Sequence, residues 1–401
     1  MIDAAAVGPD ILLVSNGFGE AAIAGYIARA IAADNPSARI EHLLLVGRAD
    51  PSEWPPAVGP SAHMPSGGLV TYWNVRNFAR DLRAGLGGLT LAQFRYLTRQ
   101  RQRDAIVAVG DIFCLALCLV AARCPTVFVA TAKSDLVAPH SRLELAIARK
   151  AMVTFARDAA TAAKLKAAGV NATFAGNIMM DGLNSTGAHL GVAPGALVVA
   201  VLPGSRSDAG SALGEQMQRL RAFSRLAKRE GHAVQALVSI APSADEHELC
   251  QAVEHHGVQL VTSGSASGVI ASGADDDLQL SLVRGAFGDL IGSADIVFGQ
   301  AGTGNEQAAG SGKPVLAAAV AGEDPNKMGW YRMRQKKLLG DALLVLPGEP
   351  DVFAAEALRL INDPARMAHM AAVGRDRMGP PGGAAAVAKA ALAIAAKEQN
   401  T

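Results

Sequence analysis

The stretch Ala294-Asp295-Ile296-Val297-Phe298-Gly299-Gln300-Ala301-Gly302-Thr303-Gly304-Asn305-Glu306-Gln307, running on to Gly312-Lys313-Pro314-Val315, decides how the chain is read. A strand-like apolar run ends in a glycine-rich turn, and the turn opens a helix of small residues. Such a turn brings backbone N–H groups close to a phosphate at a helix N-terminus, where the helix dipole also favours negative charge. Glu306, in the first turn of that helix, is placed to accept hydrogen bonds from ribose hydroxyls.

A second apolar run, Ala196-Leu197-Val198-Val199-Ala200-Val201, leads into Leu202-Pro203-Gly204-Ser205-Arg206, where an arginine can fork onto a diphosphate. Strand-like and helical stretches alternate on both sides of this point. The first series takes in Ile11 to Val14, the helical Ala21 to Ala33, Leu43 to Val46, Ile106 to Val109, Val127 to Val129 and Met152 to Phe155. The second continues through Ala233 to Ile240, Val258 to Thr262, Ile296 to Phe298, Val315 to Ala319 and Ala342 to Leu346. Alternation of this kind predicts parallel sheets with helices on both faces. The chain is therefore expected to be α/β, with two Rossmann-like, doubly wound parallel-sheet domains facing a cleft. The first covers residues 1–183 and the second 196–378, joined by turn-forming residues such as Asn184, Ser185, Gly187, Pro194 and Gly195. Gly379-Pro380-Pro381-Gly382-Gly383 then opens a last helix over 379–401.

Length and charge limit the function. At 401 residues the chain exceeds what one core supports. Its 37 basic and 36 acidic residues argue against a whole-surface grip on nucleic acid, so an anionic partner is met by a local patch. Cys114, Cys118, Cys124 and Cys250 lack C-x-x-C spacing and read as buried thiols in a reducing cytoplasm. No export signal is visible, and the run from Ile112 to Ala122 is about half the ~20 residues of a spanning helix.

Several residues carry two readings. Gly17-Phe18-Gly19-Glu20-Ala21-Ala22 has the spacing of a dinucleotide fingerprint, but the second strand ends Leu44-Leu45-Val46-Gly47-Arg48 without the acid that would hold a ribose, so an acceptor-side turn is preferred. Gly17 also reads as a packing turn, and Glu20 as an answer to the helix dipole. Asp111 follows the apolar Ala105 to Gly110 and is both a candidate general base at a strand's carboxyl end and an N-cap for the helix from Ile112. Lys133 is a candidate for an anionic partner or a solvated loop lysine; His140 and Arg142 are equally open. Between Asn74 and Asp104, Arg76, Arg80, Arg83, Arg95, Arg99, Arg101 and Arg103 interleave with Phe78, Leu82, Leu86, Leu89, Leu91, Phe94 and Leu97. That pattern fits an interfacial surface on anionic lipid, or an amphipathic helix packing inward with a solvated basic face. Asp275-Asp276-Asp277 raises a metal site, but its neighbours Ser272-Gly273-Ala274 are those of a surface turn.

Taken with Ser15 to Glu20, Gly176-Asn177-Ile178-Met179-Met180-Asp181 and Gln335 to Gly340, these motifs resemble, over nearly the whole chain, the lipid-A-disaccharide synthases and their relatives. More distantly they resemble the peptidoglycan N-acetylglucosaminyl transferase, and all are glycosyltransferases of the B fold (GT-B). The resemblance implies an inverting, metal-independent transfer from a UDP-sugar to a hydroxyl acceptor, with a lipid expected and no cofactor. It places Arg206, Gly302, Thr303 and Gly304 on the diphosphate, Glu306 on the ribose, Phe287 against the base and Gln335 on the sugar, with Ser205 and Asn305 among the substrate-binding residues. The acceptor would enter near Gly17 and Gly19, with Asp111 or Glu20 as base. It also implies that the last helix crosses back onto the first domain. A peripheral contact with the inner face of the cytoplasmic membrane is expected, and no nucleic-acid partner. The rival readings are a non-hydrolysing UDP-sugar 2-epimerase, whose histidine-arginine motif this chain lacks after the Ala196 strand, where Leu202-Pro203-Gly204-Ser205-Arg206 stands instead, and a non-catalytic sugar-nucleotide sensor.

Overall fold

The computed structural model describes residues 8–47, 54–62, 64, 80–204, 209–242, 244–263, 268–319 and 330–399. Ser205, Arg206, Arg76 and Phe78 lie outside the described residues. The chain divides into two compact units: unit 1 runs up to Asp181 and takes in the segment from Pro381, and unit 2 is Gly182–Pro380.

Unit 1 contains β1 (Asp10–Asn16), α1 (Phe18–Asp34), β2 (Arg39–Val46), α2 (Leu86–Leu97), β3 (Ala105–Gly110), α3 (Ile112–Leu117), β4 (Thr126–Ala130), α4 (Arg142–Ala148), β5 (Val153–Ala156), α5 (Ala159–Ala167) and β6 (Ala172–Thr173). The strands form one parallel sheet in the order β2-β1-β3-β4-β5-β6. Every residue of β3 is buried, as a central strand covered on both faces requires. Cys114, Cys118 and Cys124 are buried against it with Leu115 and Leu117, where small apolar thiols pack well.

Unit 2 contains β7 (Leu197–Leu202), α6 (Ala209–Arg229), β8 (Val234–Ile240), α7 (Glu246–His255), β9 (Val261–Thr262), β10 (Val269–Ala274), β11 (Leu278–Arg284), α8 (Phe287–Ser293), β12 (Ile296–Gly299), α9 (Thr303–Gly310), β13 (Val315–Ala318), α10 (Trp330–Leu339), β14 (Leu343–Leu346), α11 (Pro350–Ile361) and α12 (Pro364–Met378). The sheet order is β14-β13-β12-β7-β8-β11-β10-β9. It departs from the expected all-parallel sheet, because β10 runs antiparallel to both β11 and β9. Asp275-Asp276-Asp277 is the turn of the β10–β11 hairpin: Asp275 accepts from the N–H groups of Asp277 and Leu278 and pairs with Arg221, while Asp277 pairs with Lys228. Only Val261 and Thr262 of the expected Val258–Thr262 strand pair in the sheet; Val258 is buried in the core. An edge-to-face stack of Phe223, Phe298 and Phe353, with centroids 5.5 and 4.9 Å apart, pins the end of β12.

The linker residues Ser185, Thr186 and Gly187 are tied to α8 through Asp289. Its carboxylate accepts from the Ser185 hydroxyl at 2.5 Å, the Thr186 N–H and hydroxyl at 2.9 and 2.7 Å, and the Gly187 N–H at 3.1 Å. These bonds, led by that of Ser185, hold its pKa down to about 2.

The last helix, α13 (Gly383–Glu398), packs on α1 within unit 1. Its amino end is held by Asp181, which accepts from the N–H groups of Gly382 and Ala384. Gly383 lies so close to Gly176 and Ile178 that a Cβ would stand 2.6 Å from each. The Gly176–Asp181 motif therefore works here as the seat of the returning helix.

Candidate functional site

Each sheet has one point where the strand order reverses, and the carboxyl edge at such a point is where open α/β sheets form a crevice. In unit 2 the reversal lies between β7 and β12. The segment after β7 is Pro203-Gly204, with Gly204 at φ 109° and nothing within 4 Å of where its Cβ would stand. The segment after β12 is Gly299 to Gly302, and the Gln300 N–H donates to the Leu202 carbonyl at 2.9 Å, which joins the two strand ends. Gly302 is the N-cap of α9, so the N–H groups of Thr303 and Gly304 open the helix beside that edge. Thr303 is exposed and Glu306 half-buried. Phe287, the first residue of α8, is half-buried, and its Cζ stands 3.6 Å from the position a Gly304 Cβ would take. The structure thus brings Gly302, Thr303, Gly304, Glu306 and Phe287 to one edge.

Asn305 and Gln335, expected at the nucleotide and the sugar, are instead buried and hold the loop from behind. Asn305 Nδ2 donates to the Gly299 carbonyl and to Gln335 Oε1, both at 3.2 Å. Gln335 Nε2 donates to the carbonyls of Ala301 at 3.2 Å and Gly302 at 3.1 Å. Gly299 is required at its position because a Cβ there would overlap the Asn305 amide. Lys313 of the Gly-Lys-Pro caps the end of α8, donating to the carbonyls of Gly292 and Ala294.

In unit 1 the reversal lies between β1 and β3, and it gathers Asn16, Gly17, Glu20, Gly110 and Asp111. Gly17, at φ 120°, is the N-cap of α1, and Gly19 is exposed with open space around it. Asp111 caps α3, accepting from the Cys114 N–H at 3.0 Å. Burial raises its pKa, and the N–H bonds and nearby Asn16 partly oppose that rise. Glu20 is pushed up to about 7, first by burial and further by the Asp111 charge, against its own N–H and the Arg157 charge. A Cβ on Gly110 would stand 3.6 Å from Glu20 Cγ, so Glu20 and the residue before Asp111 are neighbours. The Thr131 N–H donates to the Gly110 carbonyl at 3.2 Å, and Arg157 Nη1 to the Thr131 carbonyl at 3.1 Å, linking the ends of β3, β4 and β5.

The shifted Glu20 has a sign for stability. Its folded pKa lies above the ordinary 4.5, so the folded protein holds this proton more tightly; the contribution is full below about 4.5 and is lost as pH rises through about 7. Glu20→Gln is expected to flatten that loss, so its melting temperature should gain on the unmutated protein between pH 5 and 8. Parallel melting curves for the two proteins across that range would show that Glu20 titrates normally.

Asn16 is a functional candidate that sequence reasoning passed over as part of a turn. It is 2 % exposed, and neither its Oδ1 nor its Nδ2 completes a hydrogen bond among the described residues. Leaving such a group unpaired costs about 1–3 kcal/mol. The pairing shifts beside it, from Ser15 opposite Leu44 to Asn16 opposite Val46, with the extra residue, Leu45, on β2. Ser15 is engaged the other way, with its hydroxyl 2.8 Å from His42 Nε2.

Other candidates are committed elsewhere. Lys133 pairs with Glu144 at 2.8 Å, and Glu144 closes the capping box of α4 with Ser141. His140 Nδ1 lies 3.0 Å from Asp135. Arg103 is buried between Asp10, Glu41 and Gln100 at the opposite, amino-terminal edge of the sheet, beside a cavity of about 410 Å³. Its donors are taken up there, so neither this arginine nor that cavity belongs to the candidate site. α2 buries Leu86, Gln93 and Leu97, and leaves Leu91 and Phe94 exposed with Arg95 and Arg99; Leu82, just before it, is 54 % exposed. Among the described residues no helix is long and apolar enough to cross a membrane.

No protein-family profile matches the sequence, and no curated sequence relative matches it. Solved structures do match. The calicheamicin glycosyltransferase CalG4 is 12 % identical, with a TM-score of 0.57 over 96 % of this chain and 98 % of its own. MurG of Acinetobacter baumannii is 13 % identical, TM-score 0.54, over 96 % and 99 %. The UDP-GlcNAc 2-epimerase of Neisseria meningitidis, solved with UDP-GlcNAc bound, is 13 % identical, TM-score 0.54, over 97 % and 100 %. The chain therefore has the two-domain α/β fold, GT-B, that these transferases and epimerases share.

Proposed function

We propose that the protein is an inverting, metal-independent glycosyltransferase that moves a sugar from a UDP-sugar to a hydroxyl of a lipid acceptor. One observation carries the reading: each sheet presents its candidate residues at the carboxyl edge of its own reversal point, phosphate-type loop chemistry in unit 2 and two carboxyl groups with raised pKa in unit 1. The α9 N-terminus and Arg206 take the diphosphate, Glu306 the ribose and Phe287 the base. The helix N-terminus and Arg206 supply positive charge to the leaving diphosphate without a metal. The Asp275 and Asp277 carboxylates are engaged within their hairpin.

In the proposed step Asp111 takes the proton of the acceptor hydroxyl as its oxygen bonds to the anomeric carbon. The bond from that carbon to the diphosphate oxygen breaks, and UDP leaves with the electron pair. Glu306→Ala is expected to weaken UDP binding about tenfold or more, from charge-assisted bonds of roughly 1.5–3 kcal/mol. Unchanged UDP affinity by calorimetry in a folded variant would remove Glu306 from the site.

The lipid acceptor is supported by the exposed Leu82, Leu91 and Phe94 beside Arg83, Arg95 and Arg99. Apolar side chains enter a headgroup layer while each basic residue near it contributes about 1 kcal/mol. Replacing Phe94 and Arg95 together should reduce flotation with anionic vesicles and leave UDP binding intact. Salt should act in the same direction, over a Debye length of about 8 Å at physiological ionic strength. No flotation of the unmutated protein at low salt would point to a soluble acceptor. Epimerases with the same fold favour a second reading, 2-epimerisation of a UDP-sugar, in which the donor alone is converted.

A further inference from the structure

The features at the end of β1 converge on Asn16. It ends β1, burial removes it from water, and neither polar atom of its amide completes a hydrogen bond among the described residues. Gly110, at φ 142°, clears the space beside it: a Cβ there would stand 3.3 Å from Asn16 Cβ and 3.6 Å from Glu20 Cγ. Asn16 and Glu20 therefore meet beside Gly110, the residue preceding Asp111, and Asn16 lies near enough to favour the ionised form of Asp111.

We propose that Asn16 is a positioning residue that bridges the two carboxyl groups of unit 1, donating from Nδ2 to Asp111 and accepting at Oδ1 from Glu20. The inference rests on the acceptor-side role given to these residues above. Two carboxyl groups in direct contact would share one proton and exchange roles. An amide between them carries the hydrogen bonds but not the proton, so Glu20 stays the neutral acid and Asp111 the ionised base. The other groups acting on the pair agree with this assignment. Burial raises both groups; Asp111 is drawn back by the N–H groups at the start of α3, whereas Glu20 is raised further by the Asp111 charge, with its own N–H and Arg157 from the end of β5 opposing. The Cys114 thiol on α3 is a further titratable neighbour, raised first by its bond with Cys118 and by burial, and less by the two carboxyl groups.

The test follows the two carboxyl groups without any substrate, by carbon NMR of protein labelled at the Asp and Glu carboxyl carbons, assigned with Glu20→Gln and Asp111→Asn. In the unmutated protein Glu20 should titrate near 7. Asn16→Leu keeps the shape but removes both bonds. It should lower the Glu20 midpoint and raise that of Asp111 by ~1 unit, so that the two converge, and the melting temperature should fall because both buried carboxyl groups lose a partner. Asn16→Asp keeps the shape and adds a third carboxyl; it should raise the Glu20 midpoint, and it stands as the test if Asn16→Leu does not fold. Midpoints unmoved in the folded variants would overturn the proposal. Because no substrate is involved, this outcome is separate from the failure of the transferase reading, which UDP calorimetry and product analysis decide.

Discussion

Asp111→Asn is expected to lower turnover by ~10² to 10⁴, the range typical of a lost general base, while UDP binding stays as it was. The amide is nearly isosteric, and its Oδ1 still accepts from the Cys114 N–H that the native carboxylate caps at 3.0 Å, so α3 keeps its start. The variant therefore separates the two roles of this residue. Near-normal turnover would transfer the base to Glu20. Loss of the fold with turnover would leave Asp111 as a cap alone.

Gly299→Ala should have the largest effect in unit 2. Its Cβ would overlap the Asn305 amide, which donates to the Gly299 carbonyl and to Gln335, and Gln335 in turn holds Ala301 and Gly302. Overpacking and two broken buried bonds together cost about 2–4 kcal/mol, and the loop that opens α9 is displaced. UDP affinity and the thermal stability of unit 2 should fall together. Asn305→Ala in the Gly299→Ala background removes the overlap and should recover part of the stability, a coupling readable as a double-mutant cycle. A stable Gly299→Ala protein with undiminished UDP binding would show that this loop does not carry the nucleotide.

Much of this architecture is legible in the sequence because it is local. The run from Ala294 to Gln307 encodes strand, turn and helix within fourteen residues, and β12, the Gly302 cap and α9 lie where that pattern puts them. The β10–β11 hairpin was hidden by the expectation of a helix between successive strands. Its signal was nonetheless present in the period-two alternation of Leu278, Leu280 and Leu282, all buried.

What the sequence withholds is the partner of each polar side chain. Arg103 belongs by spacing to a basic stripe, yet it is buried against Asp10 and Glu41, which come from two other strands. Lys133 is neutralised by a capping glutamate eleven residues away. Asn305 and Gln335 have the composition of ligand contacts, but their amide N–H groups are spent on backbone carbonyls and on each other. Asn16 is the reverse case: an inconspicuous residue of a glycine turn that only burial and its unpaired amide bring forward.

The central claim is sugar transfer from a UDP-linked donor, and incubating the protein with a panel of UDP-sugars and extracted lipids, followed by mass spectrometry of both pools, tests it most directly. The account predicts a lipid heavier by one sugar residue, released UDP in equal amount, and neither product with Asp111→Asn. Conversion of the donor to its 2-epimer without acceptor, or donor binding with no turnover of any kind, would contradict it.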